Sequence, residues 1–200
     1  MLWLTRFTLN NSRISISWAA NSYRIHQRLM MVYEGEPRLL FRVEEAGPQF
    51  LILAQSHIPP DWKKAFENFN VLAQPPEYKS FQFSFAPEAI FRFRLLANPT
   101  VKRNGKRFGL QKEEEQNSWL ERKLEDGGAK LLGCFIRPLG VQHGKKGNQE
   151  ESNVQSHLAV LFDGALQVKL EEEFSRTLEN GIGSAKGYGF GLISLAPYSP

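Results

Sequence analysis

Stretches of period two and stretches of helical period follow one another along this chain in an order that is run through twice, and few folds accept that order. Leu2 to Leu9 alternates, with Leu2, Leu4, Arg6 and Thr8 on one side and Trp3, Thr5, Phe7 and Leu9 on the other, which predicts a strand. Trp18, Ser22, Ile25, Leu29 and Val32 then fall at helical spacing and predict one amphipathic helix over residues 18–33. Asn21 or Ser17 caps its start, Gly35 ends it and Pro37 bars continuation. Arg38 to Glu45 and Phe50 to Ser56 read as strands about a Gly47-Pro48 turn, and residues 60–68 as a short helix with Pro60 at its start. Residues 74–80 (QPPEYKS) read as a linker, after which Phe81, Phe83 and Phe85 alternate again.

The second half repeats the order. A strand over Ile90 to Ala97 precedes a basic loop and a helix over Lys112 to Asp126, whose early acids and late bases suit the helix dipole and which Gly127-Gly128 ends. Ala129 to Arg137 and Val154 to Phe162 read as strands, and Asp163-Gly164 as a hairpin turn before Ala165 to Leu170. A helix over Glu171 to Asn180 and an apolar strand over Tyr188 to Ala196 complete the chain. The order β-α-β-β-α-β is that of the ferredoxin-like split unit. Its recurrence predicts an α+β protein of two tandem ferredoxin-like domains, 1–85 and 86–200, with the polar stretch 145–152 a mobile loop. At 200 residues such a chain buries a core without a metal or disulfide staple. The single cysteine, Cys134, excludes an internal disulfide or a thiolate metal cluster. No apolar run nears the ~20 residues of a membrane span, and the N-terminal stretch has no signal-like apolar region, so a soluble cytoplasmic protein is expected.

The net charge of +4 hides separate basic segments. The first 33 residues hold Arg6, Arg13, Arg24 and Arg28 and no acid. Lys102 to Lys112 carries five bases and no acid around an Asn104-Gly105 turn, and residues 137–146 add Arg137, His143, Lys145 and Lys146. Taken singly, each reads as a solvated loop. Together they point to a polyanion, because each neutralised phosphate releases counterions.

Residues 180–191 (NGIGSAKGYGFG) contain five glycines at 181, 183, 187, 189 and 191, whose bare backbone N–H groups can approach a phosphate closely. A dinucleotide-binding fingerprint fails because Lys186 stands at its third glycine and the segment runs from helix to strand. Lys186 to Phe190 matches the start of an RNA-recognition-motif signature, but Gly191 breaks it and too little chain follows. The segment reads as an RNA-facing glycine loop or, equally on the glycines alone, as a tight turn with close backbone packing.

The start MLWLTRFTL, the helix YRIHQRL, the segment FRFRLLANPTVKRNGKR, the helix WLERKLEDGG and the ending GIGSAKGYGFGLISLAP together resemble the CasE family, the CRISPR RNA-processing endoribonucleases of type I-E systems. The resemblance runs end to end and is weakest at 34–80 and 140–152. It implies tandem ferredoxin-like domains and metal-independent cleavage of the precursor CRISPR transcript at the 3′ base of each repeat hairpin. It further implies retention of the product hairpin and assembly with other Cascade subunits, with no cofactor.

That reaction is attack by a ribose 2′-OH on the adjacent phosphorus, and it needs one group to take a proton and another to give one. Histidine suits both near neutral pH. Tyr23 and His26, three apart, share a helix face beside the apolar stripe rather than on it, with Met30 and Tyr33. With the resemblance, His26 is expected to move the proton, most simply as the acid for the leaving 5′-oxygen, and Tyr23 to position or assist. Lys186, with Gly183 and Gly187, is expected to hold phosphate. Lys102, Arg103, Lys106 and Arg107, the pair Lys145 and Lys146, and Arg24 and Arg28 flanking the histidine are the other expected RNA contacts. Recognition should run through shape and phosphate, because an A-form major groove is too narrow for ordinary side-chain reading. His57 suits a turn, His143 an RNA contact or a solvated site, and His157 a cross-strand or surface site; no metal-ligand spacing is present. Two other readings stay open: a non-catalytic RNA-hairpin-binding protein with His26 structural, and a subunit that only assembles with proteins.

Overall fold

The computed structural model describes residues 1–32, 38–146 and 153–198. These gather into two compact units. The first comprises Met1–Gln82, His143–Gln155 and Lys186–Gly189; the second comprises Phe83–Gln142, Ser156–Ala185 and Phe190–Pro200.

In the first unit the order is β1 (Leu2–Leu9), α1 (Arg13–Ala19), α2 (Ser22–Met30), β2 (Leu39–Ala46), β3 (Gln49–Ser56), α3 (Trp62–Phe66) and β4 (Glu77–Phe81). The sheet order is β2-β3-β1-β4, with β1 antiparallel to both neighbours, as a ferredoxin-like unit requires. The alternation of β1 sends Thr5, Phe7 and Leu9 to the covered face, where Phe7 and Leu9 join Trp18, Ile25, Leu29, Phe41, Ile52, Trp62 and Phe66 in one core. Thr5 is buried without penalty because its hydroxyl accepts the indole N–H of Trp62 at 3.0 Å.

The single helix expected from Trp18 onward is two helices. Ser12 caps α1 by accepting the Ser15 N–H, and Asn21, at φ −135° and ψ 87°, leaves helical geometry before α2 begins. The apolar stripe runs unbroken through this joint because Trp18 on α1 and Ile25 and Leu29 on α2 all face the same core. The last part of the expected linker, from Glu77, is the edge strand β4, whereas Phe83 and Phe85 lie outside any strand and pack on the second core. The expected helix end at Tyr33, Gly35 and Pro37 lies outside the described residues.

The second unit repeats the plan with β5 (Ile90–Ala97), β6 (Thr100–Arg103), β7 (Lys106–Gly109), α4 (Glu113–Glu125), β8 (Ala129–Lys146), β9 (Asn153–Val168), α5 (Glu171–Asn180) and β10 (Ile193–Pro197). The sheet order β10-β5-β9-β8 is again that of the split unit. Trp119, Leu120 and Leu124 of α4 and Phe174 and Leu178 of α5 cover it, packing on Leu95, Val160 and Phe162. The β6–β7 hairpin stands as its own two-stranded sheet. None of the described helices is long and apolar enough to cross a membrane.

The expected hairpin at Asp163-Gly164 is absent, since β9 runs straight through it. Asp163 faces Arg94 across the β5–β9 ladder, and its carboxylate accepts from the Arg94 Nε at 2.6 Å. Gly164 is glycine because β8 passes against it: a Cβ there would stand 2.2 Å from the Gly133 carbonyl oxygen and 2.7 Å from the Cys134 Cβ. β8 likewise runs through Lys145 and Lys146, which the sequence places in a mobile loop; residues 147–152 of that loop lie outside the described residues.

The Gly164→Ala variant is expected to lose about 1–3 kcal/mol through overpacking against backbone that cannot swing aside. Urea unfolding should show a lower midpoint, with the deficit larger than for Gly47→Ala, where a Cβ meets no atom within 4 Å but the strand-connecting turn carries a positive φ of 62°.

Candidate active site

The site grows from α2. Tyr23 and His26 are both half-buried, with ring centroids 5.9 Å apart, on the flank of the helix beside its core stripe. Helical geometry brings these two side chains together; long-range packing fixes their orientation. The Lys186–Tyr188 segment forms a 3-10 turn that lies on α2 and β2 within the first unit. Ser22 at the start of α2 donates its hydroxyl hydrogen to the Tyr188 carbonyl oxygen at 2.8 Å. The Tyr188 ring stacks on Tyr23 with centroids 5.3 Å apart and planes 28° apart. Gly144 of β8 makes room for that ring, since a Cβ at 144 would stand 2.0 Å from Tyr188 Cε1.

His26 sits between two surfaces. On one side its ring stacks on Phe41 of β2, with centroids 6.0 Å apart and planes 14° apart. On the other is Gly187, where an added Cβ would lie 3.5 Å from the His26 Nε2 and Cδ2. That is ordinary contact distance, so the backbone of the glycine segment reaches the imidazole edge with room for no more than a methyl group. The His26 Nδ1 is buried without a hydrogen-bond partner among the described residues. Burial lowers the His26 pKa below its ordinary value, so the imidazole of the free protein is neutral at pH 7. Burial also raises the Tyr188 phenol, with the Tyr23 phenol adding to the effect.

The structure brings Tyr23, His26, Lys186 and Gly187 into one unit and one neighbourhood. Gly183 belongs to the second unit, where a Cβ would meet the Trp119 ring at 3.2 Å. Arg24 and Arg28 are each two residues from His26, which at 3.6 residues per turn turns them about 160° away around the helix. Arg28 lies over the rings of Trp18 and Phe69, 5.3 and 4.2 Å from their centroids. Lys102, Arg103, Lys106 and Arg107 are all exposed on the β6–β7 hairpin, where Asn104 and Gly105 at φ 49° and 78° make the tight turn. Lys102 stands directly opposite Arg107, and Arg103 opposite Lys106. Like charges so opposed destabilise a ladder in water. Lys145 and Lys146 end β8. Of the other histidines, His57 and His143 are exposed, and His157 is half-buried with its Nδ1 3.3 Å from the Asn98 amide nitrogen. Among the described residues no three His, Cys, Asp or Glu side chains gather as a metal site would.

Sequence reasoning passed over Ser22, Phe41 and Tyr188. The glycine pattern marked the segment around Tyr188 but not the ring itself as a partner of Tyr23, and nothing local links either to Phe41.

An NMR titration of the free protein should place the His26 midpoint below the ordinary histidine value of about 6.5. Because the folded pKa is the lower one, its contribution to stability is full above the unfolded pKa and is lost as pH falls through the folded value. Removing Phe41 bulk with Phe41→Ala should hydrate the ring and bring the midpoint back towards 6.5.

The sequence matches the family described as CRISPR associated protein over residues 2–197. It is 36% identical over 214 aligned residues to the CRISPR-associated endoribonuclease Cse3 of Thermus thermophilus, covering 98% of this chain and 100% of that one. It is 28% identical to the CRISPR system Cascade subunit CasE of Escherichia coli, covering 92% and 96%. A solved structure of Cse3 bound to a 19-nucleotide RNA superposes with a TM-score of 0.84 at 36% identity, over 98% of this chain and 100% of that chain. With the same order of elements in both halves and a match along nearly its whole length, this chain belongs to the CasE family of CRISPR-associated proteins.

Proposed function

We propose that this protein is an endoribonuclease that cuts precursor CRISPR RNA at the 3′ base of the repeat hairpin, keeps the product hairpin and serves as a Cascade subunit in the cytoplasm. The observation that carries the reading is the half-buried His26, held between Phe41 and the Gly187 backbone beside a Tyr23 fixed by Tyr188, in a chain that matches the Cse3 endoribonuclease end to end.

The chemistry follows from these groups. The 2′-oxygen forms a bond to phosphorus as the P–O5′ bond breaks, leaving a 2′,3′-cyclic phosphate and a 5′-OH. The 2′-OH gives up its proton to solvent water as its oxygen bonds to phosphorus, and a proton is delivered to the 5′-oxygen. His26 is the group that moves a proton at neutral pH, most simply onto the 5′-oxygen. Burial keeps it neutral in the free protein, and the negative phosphodiester brought beside it raises its pKa, so the acid form is populated where substrate is bound. Tyr23 hydrogen bonds the scissile phosphate or the 2′-OH. Lys186 and the Gly187 backbone hold phosphate close by. The basic residues of the β6–β7 hairpin, with Lys145 and Lys146, grip the stem through its backbone, as A-form RNA demands. The proposed reaction uses no metal and no cofactor.

The His26→Ala variant should lose about 10²–10⁴-fold in single-turnover cleavage of a repeat RNA, with affinity changed far less. Wild-type cutting should persist in chelator, and a 2′-deoxy nucleotide at the cut should block it. A His26→Ala variant that cuts normally would leave a non-catalytic hairpin-binding protein as the better reading.

Replacing Lys186 with alanine should weaken RNA binding more than it slows the bound complex. A single-turnover rate that falls while binding holds would move Lys186 from phosphate holding into the chemical step.

A further inference from the structure

The sequence sets Arg24 and Arg28 on either side of His26, and the helix turns them to its other side. There they line an open groove with Trp18, Gln27 and Met31, in the first unit. Arg24 reaches Ser17, donating to its hydroxyl at 2.8 Å, and Arg28 donates towards the Met31 sulfur at 3.6 Å. Neither guanidinium has a carboxylate partner among the described residues, and the first 33 residues contain no acid at all. Arg28 is also held in place, because its stack on Trp18 and Phe69 fixes the planar head with its apolar side covered. A pre-oriented guanidinium with no carboxylate partner among the described residues, beside a second one four residues away on the same helix face, is a fork for phosphate oxygens. Gln27, exposed between them, supplies an amide that can donate and accept, and Met31 supplies a soft apolar surface for a base.

We infer that this groove binds single-stranded RNA flanking the repeat hairpin, a contact separate from the stem and from the scissile phosphate. The inference rests on the proposed function, since only a protein that holds the hairpin presents a flanking strand here. The groove and His26 lie on opposite sides of one helix, so a strand leaving the cleavage point reaches both by passing round α2. A duplex is too wide and stiff to take that path; a single strand takes it and can lay an unstacked base beside an Arg plane.

The test compares the wild-type protein on three RNAs, each with a 2′-deoxy nucleotide at the cut so that binding is read without cleavage: the bare hairpin, the hairpin with a 5′ single-stranded extension, and the hairpin with a 3′ extension. One of the two extensions should tighten binding about tenfold over the bare hairpin, shared between two guanidinium–phosphate contacts at an open surface. It should also steepen the log–log salt dependence by about 1.4, for two single-strand phosphates at about 0.7 each. In Arg24→Ala the ratio of extended to bare affinity should fall to about threefold, and the added salt slope should fall by about 0.7. Arg28→Lys, which keeps the charge but loses the planar stack, should lose part of the ratio. Arg24 is exposed, so its variant tests the groove even if Arg28 variants fold poorly. If neither extension adds anything in the wild-type protein the inference is overturned, as it is by a gain that survives Arg24→Ala undiminished. Failure to bind the bare hairpin at all would instead remove the proposed function, and this contact with it.

Discussion

The stacking of Tyr188 on Tyr23 is the contact on which the rest of the site depends. It ties residues 186–189, near the end of the chain, to a helix that begins at residue 22, and the Ser22 hydroxyl bond to the Tyr188 carbonyl fixes the register of that contact. Once the turn is seated, the Gly187 backbone lies along the imidazole edge of His26 and Gly189 along the Phe41 ring. Aromatic rings in offset stacks add about 0.5–1.5 kcal/mol beyond the area they bury. That sum is modest for stability, but the same contact aligns a phenol, an imidazole and a stretch of bare backbone, and the proposed reaction, which moves two protons, would depend on such alignment more than on total binding.

The environment of His26 joins packing to chemistry. Phe41 and the glycine segment desolvate the ring, which disfavours the imidazolium in the free chain. A phosphodiester is the partner best able to reverse that preference, since it brings negative charge into the same half-dry space where electrostatic interactions are strong. In the proposed reaction the histidine therefore takes its working protonation state from the substrate.

Much of this was legible in the sequence, and the gaps have physical causes. The two runs of β-α-β-β-α-β were readable because each strand and helix has one covered face, and alternation or helical spacing records that face directly. The break at Asn21 was not, because α1 and α2 cover the same core and the apolar stripe crosses the joint without a fault. Asp163-Gly164 carries a turn signal that the fold overrides: the aspartate answers Arg94 across the ladder, and the glycine makes way for the backbone of β8. Tyr23 and His26 could be paired from local spacing alone. Tyr188 could not be joined to them, because a contact between residues so far apart in the chain leaves no periodic trace. Arg24 and Arg28 stand beside His26 in the sequence and across the helix from it in space, a distinction that spacing contains and that proximity in the chain conceals.

The opposed cations of the β6–β7 hairpin carry one consequence beyond affinity. Alone in water the mutual repulsion of Lys102 with Arg107 and of Arg103 with Lys106 favours fraying of the two short strands; against a polyanion the same four charges favour the zipped form. If the hairpin holds RNA as proposed, its closure and that capture are a single linked equilibrium, in which the ligand supplies part of the local folding free energy and ionic strength sets how much of it is felt.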